Sequence, residues 1–185
     1  MIQEGLTRIA AGAQNAGNAD RTPGARTEGL GFYNPGMALN RDLSVLLVEA
    51  EAKRRGRQID VADALAGTGA RSLRLANEVA ADLIVHANDA HPPAVDAIRQ
   101  GRSGLADPAR LEVREGDAHA FLASRRFDVI DLDPCGSPMP FLDAAVRATR
   151  PGGLLLATAT DTGALAGAFA RVCRRRYDAH HGLHA

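Results

Sequence analysis

Residues 126–141, "RFDVIDLDPCGSPMPF", place Asp131 and Asp133 toward the end of an apolar run that leads into Pro134-Cys135-Gly136. An unpaired carboxylate is costly to bury, so acids at the mouth of a buried strand point to a task or a partner. Similar positions recur. "DALAGTGARS" places Asp63 before a turn with Gly67 and Gly69, where backbone can approach a ligand with no Cβ in the way. The spacing is neither the Gly-x-Gly-x-x-Gly dinucleotide fingerprint nor a P-loop, because no Gly-Lys-Ser/Thr follows. "HANDAHPP" places Asp89 where an acid accepts hydrogen bonds from ribose hydroxyls, or caps the helix opening at Pro92. Asp117 in "EGDAHAF" suits an adenine amine or the cap of a short helix, and Asp161 in "TATDTGAL" reads as an N-cap.

The elements that must hold these acids follow from periodicity. Asn40 is an N-cap candidate for a helix over "RDLSVLLVEAEAKRRG", closed by basic residues and Gly56. Then come, in turn, strand "IDVADALAG", helix "ARSLRLANEVA", strand "DLIVHAND", helix "PPAVDAIRQG", and strands "RLEVREGDA" and "FDVIDLDP". Helix "PFLDAAVRATRPGG", stopped at Pro151 and Gly152, strand "LLLATATD" and helix "GALAGAFARVCRRRY" complete the pattern. Apolar strands alternating with helices predict a mostly parallel sheet covered on both faces, an α/β doubly wound fold. In such sheets ligands sit at the carboxyl ends of the strands, where every acid named above falls. Residues 1–31, poor in large apolar side chains, read as a flexible segment, with order starting near Phe32 and one domain over 32–185.

Composition narrows the classes. The 185 residues suffice for one such core, and no apolar run reaches the length of a membrane span. The start lacks a secretion signal, and two cysteines, Cys135 and Cys173, suit a reducing cytoplasm rather than a disulfide framework. Net charge is zero, which argues against a large nucleic-acid footprint on this chain alone. His180, His181 and His184 lack further ligands, so no metal site is expected. The cluster Arg171, Arg174, Arg175 and Arg176 suits a solvated helix end better than a phosphate site.

Taken together, the glycine turn, the acids after the next two strands and Asp133-Pro134 resemble a Rossmann-like class I methyltransferase that uses S-adenosylmethionine (SAM). Asp-Pro-x-x at this strand resembles the motif of enzymes that methylate exocyclic amines. Such a nitrogen is a poor nucleophile, because its lone pair is delocalised into the ring. A carboxylate and a backbone carbonyl that accept its N–H bonds pull the lone pair out of conjugation and aim it at the methyl group.

"GFYNPGMALNRDLSVLLVEA", "DALAGTGARSLRLANE", "VHANDAHPPAVDAI", "DLDPCGSPMPFLD" and "CRRRYDA" resemble, more narrowly, the tRNA guanine-26 N2-dimethyltransferase family. The resemblance implies methylation of the guanine N2 amine in tRNA. It implies SAM contacts from Arg41, Arg71, Asp89, Asp117 and Ala118, besides Asp63 and the glycine turn. It gives catalysis to Asp133, with Pro134, and one side of the guanine slot to Phe32. The family usually has Asp-Pro-Phe-Gly, whose phenylalanine stacks on the base, where this chain has Cys135, a small side chain without a π face and not a nucleophile. Family members are about twice as long and add two strands and a tRNA-gripping C-terminal domain. The last strand here is thus expected as an exposed apolar edge open to a second copy or a partner chain. Two other readings compete: a SAM- or partner-binding remnant without activity, and an amino-methyltransferase acting on another RNA or a small molecule.

Overall fold

The computed structural model describes residues 1–10 and 33–179. It opens on an antiparallel hairpin, β1 (Ile2–Glu4) and β2 (Thr7–Ile9). Then follow α1 (Ala38–Arg55), β3 (Ile59–Asp63), α2 (Ala70–Glu78), β4 (Leu83–Asp89), α3 (Pro92–Arg102) and β5 (Leu111–Glu115). The rest is α4 (Ala118–Ser124), β6 (Phe127–Leu132), α5 (Met139–Ala148), β7 (Thr149–Ala157), α6 (Thr162–Leu165) and α7 (Ala170–Tyr177).

The five strands β3–β7 pair in parallel in the order β5-β4-β3-β6-β7. The chain winds outward from β3 through β4 to β5, then crosses back to lay β6 on the other side of β3. That reversal opens a crevice at the carboxyl ends of β3 and β6. Strand alternation fills both faces. Val61, Val85 and Val129 meet Val48, Leu73 and Ile98 on one face; Ala62, Ile130 and Leu132 meet Phe121, Leu122 and Ala145 on the other. The doubly wound α/β fold expected from the pattern is therefore present.

Several local expectations are corrected. Residues 2–9, placed in a flexible segment, form the hairpin. Ile9 is fully buried with Tyr33 and Ala70, and Glu4 lies between the Arg41 and Arg74 guanidiniums. Polar contacts to a distant arginine pair carry no periodicity, so the segment's composition concealed its order. Residues 11–32, and with them Phe32, lie outside the described residues, as do His180, His181 and His184.

Asn40 is not a cap. Asn34 caps a 3-10 turn over Pro35–Met37 by accepting from Gly36 N, and α1 continues from it. Helix α5 ends at Ala148, before Pro151, and β7 already begins at Thr149 beside Phe127, with a register shift absorbing the extra residues. The last helix is broken in two. Gly167 takes φ +86°, and Phe169 folds back over Gly163, where a Cβ would sit 2.7 Å from its ring. Among the described residues strand β7 pairs only with β6 and forms one edge of the sheet. Among the described residues no helix is long and apolar enough to cross a membrane.

Candidate active site

The carboxyl ends of β3, β4, β5 and β6 bring Asp63, Asp89, Asp117 and Asp133 to one end of the sheet. The turn after β3 is tight because Gly69 adopts φ +75° and packs on α3; a Cβ there would lie 2.7 Å from Ile98. Gly67 N donates to Asp89 Oδ2 at 2.8 Å, and His91 N donates to Asp89 Oδ1 at 2.8 Å. Asp89 is thus held by backbone on both sides. Asn88, buried beside it, donates to Ala64 O and Gly116 O and ties the ends of three strands together. Asp117 caps α4 by accepting from Ala120 N at 2.9 Å while its side chain stays largely exposed, and Ala118 is buried behind it.

The polar centre is Arg71, at the start of α2 and almost wholly buried. Its guanidinium donates to Asn40 Oδ1 at 2.7 Å, to Ser44 Oγ and to Asp133 Oδ2, and lies 3.2 Å from Asp131 Oδ2. Asn40 and Ser44 stand one turn apart on α1, so one helix face supplies both of its neutral partners. Asp131 is deeper than Asp133, with 1% against 22% of its side chain exposed. Asp131 is tied to side chains rather than to backbone. Ser44 Oγ donates to its Oδ2 at 2.8 Å, while its Oδ1 is buried without a partner.

Asp63 pairs across the sheet with Asp131 and accepts from Ser72 Oγ at 2.6 Å. Burial, helped by the charge of Asp131, pushes the Asp63 carboxyl up to about 7. Burial also pushes Asp131 up to about 6, despite the Arg71 charge beside it. One arginine shared among three carboxylates cannot neutralise them all.

Arg41, the other arginine of the expected set, belongs to a second buried ion pair. It is buried, but it donates to both Glu4 oxygens and to Asn34 O, and its guanidinium sits 5.1 Å from the Tyr33 ring centre. Cys135 is exposed rather than a small buried side chain. Desolvation pushes its thiol up, and the charges of Asp133 and Asp89 add to the shift. Asp161 makes no side-chain cap bond; Arg176 and Tyr177 Oη both donate to it. Asn40, Ser44 and Asn88 escaped the sequence reading. The i, i+4 pair of Asn40 and Ser44 on an otherwise apolar helix face was the available signal.

The family of N2,N2-dimethylguanosine tRNA methyltransferases matches residues 17–184. The chain belongs to this family. It is 42% identical over 148 residues to the tRNA (guanine(26)-N(2))-dimethyltransferase of Methanothermobacter thermautotrophicus, covering 79% of this chain and 38% of that protein. It is 38% identical over 150 residues to the tRNA (guanine(26)-N(2)/guanine(27)-N(2))-dimethyltransferase of Aquifex aeolicus, with the same two coverages, 79% and 38%. The structure resembles that of Trm1 from Pyrococcus horikoshii, solved in complex with S-adenosyl-L-methionine. The TM-score is 0.77 at 34% identity, over 97% of this chain and 47% of that one. The chain therefore spans less than half the length of these relatives.

Proposed function

We propose that this chain is the catalytic domain of a SAM-dependent methyltransferase acting on the N2 amine of guanine in tRNA, at the position-26 type of site. The observation that carries it is Asp133, held on Arg71 just after β6, at the same end of the parallel sheet as Asp89 at the end of β4.

The crevice suits SAM by its donor set. The ligand presents ribose hydroxyls, an adenine amine and two cationic centres, and the strand ends offer carboxylates to match. Asp89 would take the ribose hydroxyls, its geometry fixed by Gly67 and His91. Asp117 and Ala118 would meet the adenine, and Gly67 and Gly69 would let the backbone close on the ligand. Asp63 and Arg71 would bound its amino-acid end. Arg41 would contact the ligand as well, its guanidinium oriented by Glu4. SAM, when bound, supplies an electrophilic methyl group.

The chain's own work is at the amine. Asp133 accepts one N–H through the oxygen not given to Arg71, and a nearby backbone carbonyl accepts the other. Together they turn the nitrogen lone pair out of conjugation toward the methyl. Arg71 fixes the carboxylate's orientation, and Asp131, Ser44 and Asn40 fix Arg71. Positive charge developing on the nitrogen is stabilised by Asp133, which takes the proton after transfer.

The described residues 33–179 form the SAM-binding domain in this reading. Its place is the cytoplasm, which two free cysteines suit. A second chain, if one pairs, would use the β7 edge.

The test uses methyl-labelled SAM and an unmodified tRNA transcript, followed by nucleoside analysis. N2-methylated guanosines are expected, and the Asp133→Ala variant should lose them by roughly a hundredfold or more while still binding SAM. An unchanged product yield in that variant would overturn Asp133's role. SAM binding without product in the unaltered chain would favour a binding domain.

A further inference from the structure

Just past Asp133 in the chain, Pro134 and Cys135 help to line a cavity of about 610 Å³ that the sequence reading did not foresee. One wall is apolar: Pro134, Met139 and Phe141, with Cys135 at its edge. The other wall is Arg175 and Arg176 of α7, a cluster expected from sequence to be a solvated helix end.

Both walls are fastened. Phe141 stacks on His119 with ring centres 4.9 Å apart and planes at 33°, and a ring nitrogen of His119 bonds Pro140 O at 3.0 Å. Gly136 N donates to Thr160 Oγ1 at 2.8 Å, and Thr160 N donates to Gly136 O at 2.9 Å. The loop after β6 is thereby stapled to the segment after β7. Asp161, in that segment, accepts from Arg176 at 2.9 Å and from Tyr177. Asp161 so neutralises Arg176 and orients α7, while Arg175 has no ion-pair partner among the described residues.

A cavity lined by one aromatic ring and an uncommitted guanidinium has the chemistry to take a nucleotide. Base faces stack on aromatic side chains, and guanidinium groups pair with phosphate oxygens. The cavity's size lies in the usual range for small-ligand sites. Its lining begins at Pro134, the residue after Asp133, so a nucleotide held there would neighbour the reacting guanine.

We propose that this cavity receives the RNA strand flanking the target guanine, with Arg175 pairing a phosphate and Phe141 bearing a base face. This rests on the methyltransferase reading above. Phosphate contacts set register and carry no sequence information. Arg175 is thus a positioning residue, one that decides where along the strand a guanine meets Asp133. A single phosphate contact on an otherwise neutral domain also agrees with the zero net charge.

The test is tRNA binding by the full chain across a potassium chloride series, with SAM affinity measured in parallel. Arg175→Ala should weaken tRNA binding on the order of tenfold and lower the slope of log affinity against log salt by about one. SAM affinity should stay within about twofold, because Arg175 lies outside the strand ends assigned to SAM. Arg175→Lys should recover most of the slope, and Phe141→Ala should weaken binding with the slope unchanged. Arg171→Ala, on the same helix but outside the cavity, serves as the control. An effect of Arg171→Ala equal to that of Arg175→Ala would overturn the proposal in favour of diffuse attraction. So would an unchanged slope in Arg175→Ala when the unaltered chain methylates tRNA. A chain that neither binds SAM nor methylates overturns the methyltransferase reading, and this assignment with it.

Discussion

At the scale of single residues, the site is built on unequal carboxylates that share one cation. Asp63, with its carboxyl raised to about 7, binds a proton on folding that it lacks in the unfolded chain above its ordinary value of 3.8. Its contribution to stability is full below that value and is lost as pH rises through 7. Asp63→Asn keeps an acceptor for Ser72 and carries no charge. The wild-type urea midpoint should therefore fall between pH 5 and about 8, and that of Asp63→Asn should fall measurably less. Cys135 offers a second test at this scale. Placing Phe there supplies the π face that the thiol lacks, and a stacked base contributes roughly 1–3 kcal/mol. Cys135→Phe should lower the tRNA concentration for half-maximal methylation about fivefold or more, with kcat little changed, as read by initial rates over a tRNA series.

At the scale of elements, close contacts decide whether the strand ends reach one another. Helices α2 and α3 meet through Gly101, where a Cβ would stand 2.4 Å from Leu73 Cδ1. Gly101→Ala should cost about 1–3 kcal/mol in urea unfolding, since Leu73 is fully buried and has nowhere to move. The hairpin is bound to the domain by charge rather than by area. Glu4 holds Arg41 and Arg74, all three buried. Glu4→Ala should cost about 3 kcal/mol or more, because it leaves buried guanidinium groups without their counter-charge, while Glu4→Gln should cost less. The same denaturation curves check both.

At the scale of the whole molecule, two groups of acids pull stability in opposite directions with pH. Glu4, held at about 2 by Arg41, Tyr33 and Arg74 against the desolvation that opposes them, stabilises the fold above its ordinary 4.5 and ceases to do so as pH falls through 2. Asp128 behaves likewise. It is fully buried at the start of β6, with Arg55, Arg57 and Arg150 around it, and they hold it at about 2 against desolvation. Asp63 and Asp131 lose their contribution as pH rises toward 6 and 7. From these four groups stability should therefore peak near pH ~4 and fall on both sides, which calorimetric melting across pH would show.

The sequence alone determined the alternation of strands and helices, because periodicity and burial are local properties of a covered parallel sheet. It also determined the family and the order of acids after the strands, because each sits at a fixed offset from an apolar run. The tertiary structure decided what those acids face. Arg71 joins α1, α2 and β6 across gaps of 27 to 62 residues, and no local pattern encodes such a meeting. It paired Arg41 with Glu4, broke the last helix at Gly167, and set two arginines of a cluster into the wall of a cavity. Charge partners are chosen by proximity in space, and that proximity exists only once the strands have been laid side by side.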